Sequence, residues 1–428
     1  MANSNDWFRP GLEHIWLPYA QMKTMPDPVA IASTSGALLK LEDGRTLVDG
    51  IGSWWTSVHG YNNPRLLEAA RNQLGAMPHV MLGGLAHEQA YRLAARLADV
   101  TPGDLSKVFF TESGSVAVEV AMKIAVQYAM NLRGERRTRF ISFRGGYHGD
   151  TFATMSVCDP EEGMHSLFAG VVPEQYVLDL PDTEARAAAL DQLLDTHDDI
   201  AAILVEPLIQ GAGGMRMHSA ETLKTLREAC DRHGVLLIFD EIFTGFGRTG
   251  EMFAAKRAGV TPDIMCLGKA LTGGVTPLAA TIASREVYAA FHTGDPDHAL
   301  MHGPTFTGHA IGCAVANAGL DLFESEPRLA EVRAVEAQLQ AELSPLAALP
   351  EIRDVRICGA VAAVEFMKDF DVNAARSWFI ERGTFIRPLG RVVYLTPSYT
   401  ISAGALSTLT GAITDFAETA GQPRTGLS

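Results

Sequence analysis

Cysteine is scarce. Only Cys158, Cys230, Cys266, Cys313 and Cys358 occur in 428 residues, and no two form a C-x-x-C pair. Five scattered thiols argue against a disulfide framework and a thiolate zinc site, and fit reduced cysteines. Basic charge is short as well: 35 lysines and arginines face 50 acidic residues, for a formal net charge of −15. Such an acidic balance opposes binding to nucleic acid and to anionic membranes. No apolar run approaches the roughly 20 residues of a membrane helix. The segment Met1–Pro10, with Asp6 and Arg9, lacks the basic start and apolar stretch of a signal peptide. Internal repeats and low-complexity tracts are absent too. The expectation is a soluble cytoplasmic protein.

What is plentiful is apolar residues, 47% of the chain, enough for a large core and more than one domain. Through the middle, short apolar runs alternate with helical patterns. Lys107–Phe110 reads as a strand that leads into a helix over Val116–Met130, whose Val116, Val120, Ile124 and Tyr128 share one face. Arg139–Phe143, Ala201–Val205, Val235–Phe239 and Asp263–Leu267 read as further strands. Ser219 caps a helix that runs to His233 and stops at Gly234. Continuous apolar strands alternating with helices predict an α/β fold with a mainly parallel sheet covered on both faces. The last hundred residues differ. They show a long helical pattern over Leu320–Leu343, strands near Val355–Phe366, a helix near Val372–Arg382, and short strands at Thr384–Arg387 and Val392–Thr396. The expected division is a large domain over 61–320 and a smaller α+β domain over 321–428, with residues 1–60 packing against the smaller one.

Chemistry-bearing residues gather where strands end, which is where open α/β sheets bind ligands. Asp240 closes the run Val235-Leu-Leu-Ile-Phe-Asp and heads the stretch Asp240-Glu-Ile-Phe-Thr-Gly-Phe-Gly-Arg-Thr-Gly. Lys269 follows the next apolar run, in Cys266-Leu-Gly-Lys-Ala-Leu-Thr-Gly-Gly. An amine can form a Schiff base with an aldehyde, and a carboxylate can keep a pyridine nitrogen protonated so that the ring draws in electrons. That pairing is what a pyridoxal 5′-phosphate (PLP) enzyme requires. Glu112-Ser-Gly-Ser-Val offers free helix amides and a hydroxyl for a phosphate, although the same residues would serve an ordinary capped turn. Gly145-Gly-Tyr-His-Gly-Asp-Thr holds Tyr147 in a glycine-bent turn, where it can stack on a flat ring or pack within the loop. His148 has no second ligand at zinc spacing and reads as a structural neighbour. Trp54 and Trp55, taken as a strand, would face opposite ways, one to the core and one to a pocket. Arg387 follows an apolar strand, where its fork can grip a carboxylate or form a surface ion pair. Gly245-Phe-Gly-Arg-Thr-Gly spells G-x-G-x-x-G but starts well past the strand end, which argues against a nicotinamide site.

Together these motifs resemble the class III aminotransferases, PLP enzymes of fold type I, over Ile15–Tyr399. Within that family the likeness is to the branch that serves biotin synthesis. It is carried by Val48-Asp-Gly-Ile-Gly-Ser-Trp-Trp, His59-Gly-Tyr-Asn, Ser113-Gly-Ser-Val-Ala-Val-Glu-Val-Ala-Met-Lys and Gly146-Tyr-His-Gly-Asp-Thr. Met155-Ser-Val-Cys-Asp-Pro, Gln210-Gly-Ala-Gly-Gly-Met-Arg-Met and Met301-His-Gly-Pro-Thr-Phe add to it. The resemblance implies a seven-stranded sheet in the large domain and PLP as cofactor. It also implies ping-pong transfer of the amino group of S-adenosylmethionine to 8-amino-7-oxononanoate, giving 7,8-diaminononanoate.

Roles follow from the same resemblance. Lys269 would be the Schiff-base lysine and proton shuttle, Asp240 the partner of the pyridine nitrogen, and Tyr147 the cover of the ring. Gly114 and Ser115 would hold the phosphate. Thr305 would reach the phosphate of a neighbouring subunit, making the active form a homodimer, with Pro304 against the cofactor and Gly303 against the substrate. Arg387 would bind the far carboxylate of the keto acid, and Trp54 and Trp55 would line its apolar chain. Tyr19, Asp150 and Tyr394 would belong to the substrate pocket that also receives the sulfonium donor, and Arg248 would be structural.

Three departures discriminate within the family. Relatives of the ornithine and 4-aminobutyrate type carry glutamate where this chain has Ala212, and glutamine where it has Phe243; both changes argue against those substrates. The biotin branch commonly reads Trp-His-Pro-Tyr, and here the segment is Trp16-Leu-Pro-Tyr19, with Leu17 in place of the histidine. Two other functions compete. One is a broad ω-amino acid or amine:pyruvate transaminase on the same fold. The other is a non-catalytic PLP-binding protein, against which the intact Lys269, Asp240 and phosphate loop speak. No residue excludes lysine as the amino donor.

Overall fold

The computed structural model of the chain describes residues 7–161, 165–168 and 170–420. Residues 1–6 of the polar N-terminal segment and 421–428 at the end of the expected smaller domain lie outside the described residues. The central sheet contains β1 (Leu105–Thr111), β2 (Arg139–Phe143), β3 (Tyr176–Leu178), β4 (Ile200–Val205), β5 (Leu236–Asp240), β6 (Ile264–Leu267) and β7 (Ala279–Ser284). Their order is β1-β7-β6-β5-β4-β2-β3. The pairs among β2 to β6 run parallel, while β7 is antiparallel to both β6 and β1. Every residue of β4, β5 and β6 is buried. That explains why these strands read as unbroken apolar runs. Successive side chains still alternate: Leu237 and Phe239 enter one core, Leu236 and Ile238 the other.

The helix Ala220–His233 starts at Ser219, whose side chain accepts the Thr222 N–H at 3.3 Å, and ends at Gly234 with φ 61. A serine cap of this kind stabilises a helix by about 1 kcal/mol. The periodic stretch over Leu320–Leu343 is not one helix. It belongs to two, Ala310–Ser325 and Arg328–Leu343, parted at Pro327. Proline has no N–H to give and pushes the residue before it out of the helical region, and Glu326 is indeed extended, with φ −128 and ψ 152. The buried Arg328 fastens the joint through Glu326 at 2.6 Å, Glu331 at 2.7 Å and the His59 ring at 3.2 Å.

An N-terminal and a C-terminal stretch of the chain meet in a second sheet. Ile31–Ser35, Leu38–Leu41 and Thr46–Asp49 form an antiparallel meander, and Thr384–Phe385 adds to it in parallel, with Thr384 opposite Val48 and Phe385 opposite Asp49. A third, antiparallel sheet joins Ile352–Ile357, Ala362–Phe366 and Val392–Leu395. Trp54 and Trp55 do not lie on a strand. They sit in a short helical turn, Gly52–Trp55, with left-handed backbone at Ser53 and Trp54. The Asp49 carboxylate accepts the N–H groups of Ile51 at 2.8 Å and Gly52 at 3.2 Å, which turns the chain as it leaves Thr46–Asp49.

Glu241, next to Asp240, is fully buried yet well partnered. It accepts the N–H groups of Ala254 at 2.8 Å and Ala255 at 2.7 Å, and the Thr244 hydroxyl at 3.3 Å. Burial outweighs these bonds and pushes its carboxyl from the ordinary 4.5 up to about 7. The fold therefore holds this proton more tightly than the unfolded chain does. The stability it contributes is complete below the unfolded value and is lost as pH rises through about 7. Glu241→Gln has no such proton to lose. Its stability relative to wild type is expected to improve by about 1 kcal/mol or more between about pH 5 and pH 8. Urea melts at both pH values check this, and a difference independent of pH would contradict it.

Candidate active site

Five chain segments leave the central sheet at one edge. Asp240 is the last residue of β5, Glu206 follows β4, and Lys269 follows β6 after Gly268. The helix Gly114–Arg133 follows β1, and the turn around Tyr147 follows β2. The register pairs Val205 with Phe239, so Glu206 and Asp240 emerge side by side. Both are only 4% exposed. Asp240 Oδ2 lies 2.9 Å from His148 Nδ1, and Asp240 Oδ1 accepts the Ile242 N–H at 3.1 Å. Glu206 accepts the N–H groups of Tyr147 and Gly211, both at 3.0 Å. Burial pushes the Glu206 carboxyl up to about 7, against the pull of His148 and with repulsion from Asp240.

The Lys269 amine lies 4.8 Å from the Trp55 ring centroid. Burial lowers its pKa, opposed by the negative charges of Asp240, Glu206 and Asp150. Lys269 has φ 41, a conformation that costs a side-chain-bearing residue. Of the nine non-glycine residues with positive φ among the described residues, four are Tyr19, Trp54, Trp55 and Lys269. Such strain survives where the surroundings over-determine it, and it gathers at functional sites. Arg248 supplies part of that restraint. Its buried guanidinium donates to the carbonyls of Trp55 at 3.3 Å, Pro397 at 2.9 Å and Ala360 at 3.2 Å.

Asp240, Glu206, Lys269, Trp55 and Phe243 line a cavity of about 150 Å³ together with Gly114, Ser115 and Tyr147–Gly149. At the helix start, Ser113 Oγ accepts the Val116 N–H at 3.4 Å, and the amides of Gly114 and Ser115 have no partner within the helix. The space there depends on glycine. A Cβ on Gly114 would come within 2.9 Å of Ile242 Cδ1, and one on Gly149, where φ is 131, within 2.3 Å of Ser115 Oγ.

Toward the surface, the Tyr19 hydroxyl donates to Asp150 Oδ1 and lies 3.3 Å from the Tyr147 hydroxyl. His165 Nε2 reaches the same Asp150 oxygen at 2.9 Å and stacks its ring on Tyr147. Burial works to raise the Asp150 pKa, but the bonds from Tyr19 and His165 outweigh it and hold the carboxyl low. Trp54 stands edge-on to Tyr19 and lies 4.9 Å from the Arg387 guanidinium. Trp55 packs on Phe243 at 4.3 Å and meets Tyr394 edge-on at 6.4 Å.

A family model, Aminotransferase class-III, matches residues 19–416. The chain belongs to the class III aminotransferases. It is 43% identical over 398 residues to the adenosylmethionine-8-amino-7-oxononanoate aminotransferase of Corynebacterium glutamicum, covering 91% of this chain and 93% of that one. Identity to the enzyme of the same name from Mycobacterium leprae is 43% over 414 residues, covering 94% and 95%. The crystal structure of the Methanocaldococcus jannaschii enzyme of that name matches with a TM-score of 0.89 at 33% identity, over 96% of this chain and 98% of that one. A PLP-bound amine transaminase from an uncultivated Pseudomonas species matches with a TM-score of 0.88 at 33% identity, over 95% and 99%.

The cavity of this class III aminotransferase fits PLP on its own residues. It has a buried anion for a ring nitrogen, a poorly hydrated amine for an aldehyde, and unpartnered helix amides beside a hydroxyl for a phosphate. Gly303, Pro304 and Thr305 do not line it. They lie on a turn fastened to the helix Gly114–Arg133, where Lys123 Nζ donates to the Met301 carbonyl at 2.6 Å, and to β1, where Thr307 Oγ1 donates to the Phe110 carbonyl at 2.7 Å. Gly303 and Thr305 are exposed. Tyr19, Asp150, Trp54 and Arg387 also stand outside the cavity, at its approach. Sequence reasoning missed Glu206 and His165. The signal for Glu206 was a carboxylate closing the apolar run Ile200–Val205, the same pattern that marked Asp240.

Gly149→Ala is expected to weaken PLP binding at least about tenfold, since its methyl group would strike Ser115 and its backbone strain is of order 1–3 kcal/mol. Absorbance titration of the stripped protein with PLP measures this. An unchanged affinity would show that the phosphate corner is built otherwise.

Proposed function

We propose that this class III aminotransferase uses PLP to transfer the amino group of S-adenosylmethionine to 8-amino-7-oxononanoate, giving 7,8-diaminononanoate for biotin synthesis. The observation that carries the proposal is Arg387, stacked on Trp54 and free of any carboxylate partner among the described residues. An indole plate ending in an unpaired guanidinium suits a long apolar chain that terminates in carboxylate. The names of the relatives from Corynebacterium glutamicum and Mycobacterium leprae support the same substrates.

PLP, when bound, supplies a conjugated electron sink that lets a hydrogen leave carbon as a proton. In our reading Asp240, oriented by His148, would pair with the ring nitrogen. Gly114 and Ser115 hold the phosphate, and Tyr147 covers the ring. Lys269 Nζ takes the proton from the α-carbon of the donor, and in the second half-reaction returns one to C7 of the acceptor. Its burial favours the neutral amine that such a transfer needs. Tyr19, Asp150 and Tyr394 receive the sulfonium donor, where the Asp150 carboxylate and the aromatic faces attract a cation. Trp54 and Trp55 line the apolar chain of the acceptor.

We place Thr305 at the phosphate of a second subunit, with Pro304 beside the cofactor and Gly303 beside the substrate. The exposure of Gly303 and Thr305 on a turn held against the phosphate-binding helix supports a homodimer. We assign residues 61–320 to the PLP-binding domain and 321–428 to the smaller domain, with 1–60 joining it through the pairing of Thr384–Phe385 with Thr46–Asp49. No helix among the described residues is long and apolar enough to cross a membrane. All five cysteines are unpaired, which supports a reducing, cytoplasmic setting.

Incubation with S-adenosylmethionine and 8-amino-7-oxononanoate is expected to yield 7,8-diaminononanoate by mass spectrometry. Lys269→Ala should lower that turnover by about 10²- to 10⁴-fold or more. Inactivity of wild type with this pair, together with turnover of simple amines and pyruvate, would assign the enzyme to the ω-transaminases instead.

A further inference from the structure

We infer that Tyr61 is a positioning residue for the acceptor end of the site: its hydroxyl fixes the strained turn that holds Trp54 against Arg387. The inference rests on the substrate reading above and extends it to a residue with no assigned role. Ser53, Trp54 and Trp55 are three consecutive residues with left-handed backbone, at φ 50, 53 and 77. Residues with side chains hold such a run only under restraint from outside it. Arg248 restrains the far end, through the Trp55 carbonyl at 3.3 Å. Tyr61 restrains the start. Its hydroxyl donates to Asp49 Oδ2 at 2.6 Å and lies 2.6 Å from Ser53 Oγ. A phenol has one proton to give. That proton goes to Asp49, so Ser53 is the donor to Tyr61, and the three groups form one directed chain.

Both ends of this chain are anchored. Asp49 is buried, and its Oδ1 accepts the Ile51 and Gly52 N–H groups. One carboxyl group therefore grips the turn twice, directly at residues 51 and 52 and through Tyr61 at Ser53. Tyr61 in turn is tied to the N-terminal meander, where its N–H donates to the Gly36 carbonyl at 2.7 Å and its carbonyl accepts the Gly36 N–H at 3.1 Å. The Trp54 ring has little packing of its own. It is 42% exposed, edge-on to Tyr19 and beneath the Arg387 guanidinium. Its direction is set by the backbone that carries it. Without the Tyr61 hydroxyl, Ser53 loses its anchor, the start of the left-handed run relaxes, and Arg387 loses its aromatic plate. Trp55 keeps Arg248 and its packing on Phe243 at 4.3 Å, so the effect falls on the acceptor end and spares the wall beneath Lys269.

The test uses the PLP-loaded enzyme labelled with 5-fluorotryptophan, whose five lines are resolved by fluorine NMR. Trp54→Phe assigns the Trp54 line. In Tyr61→Phe that line is expected to shift or broaden, while those of Trp7, Trp16 and Trp378 stay in place. Nonanoate, a nine-carbon carboxylate, is then titrated against the same line, and Tyr61→Phe should weaken it roughly fivefold, the worth of one hydrogen bond. The KM for 8-amino-7-oxononanoate should rise by a similar factor, more than kcat falls. Ser53→Ala should act in the same direction, and the double variant should lose no more than the larger single loss, because both substitutions cut one chain. An unmoved Trp54 line in Tyr61→Phe would overturn the inference, as would additive losses in the double variant. So would a moved line with unaltered affinity in an enzyme that binds nonanoate. If the line moves in Tyr61→Phe while wild type fails to aminate 8-amino-7-oxononanoate, the restraint on Trp54 stands and the substrate reading falls.

Discussion

The site is organised around one buried carboxyl group, that of Asp240. Asp240 ends the most central buried strand, and an unpaired carboxylate there would be expensive to keep ionised. His148 and the Ile242 amide meet its two oxygens, and that need ties the turn after β2 to the end of β5. Once the turn is fixed, its neighbours follow. Tyr147 is held by its N–H to Glu206, and the glycine at 149 lets the chain pass Ser115. Glu206 and Glu241 flank Asp240, and burial leaves both readier than usual to carry a proton.

A second constraint supports the aromatic wall. Trp54, Trp55 and Lys269 occupy left-handed backbone that costs free energy. Arg248, inside the core, grips the Trp55 carbonyl together with two carbonyls from the C-terminal part of the chain. Its charge is spread over carbonyls, with no carboxylate partner among the described residues, which makes it a clamp between elements. Trp55 is thereby fixed beneath the Lys269 amine, while Trp54, one residue earlier, stays open to the approach. The different fates of the two rings come from strained helical backbone, not from strand alternation.

Much of the frame was legible because its signals are local. Buried parallel strands leave no alternation to misread, and Arg139–Phe143 and the helix from Ser219 to Gly234 appear with the bounds their sequences suggest. The join at Pro327 was harder to see, because apolar positions continue on both sides of it and the Arg328 clamp is a long-range contact. The positions of Asp240, Lys269, Gly114 and Ser115 at one cavity follow from strand ends in a parallel sheet. Glu206 carried the same strand-end signal without a motif around it. His165 matters through Asp150, a contact that no local spacing rule reports.

The sequence by itself determined the class of sheet, the edge at which chemistry gathers and the family, because burial pattern, glycine placement and strand-end residues act over short spans. Only the tertiary structure decided which charges are paired. Asp240 finds His148, Arg248 finds carbonyls, and Arg387 finds the Trp54 ring. Pairing depends on distances between segments that meet only once the chain has folded, and desolvation, which sets the strength of each charge, exists only inside the packed molecule.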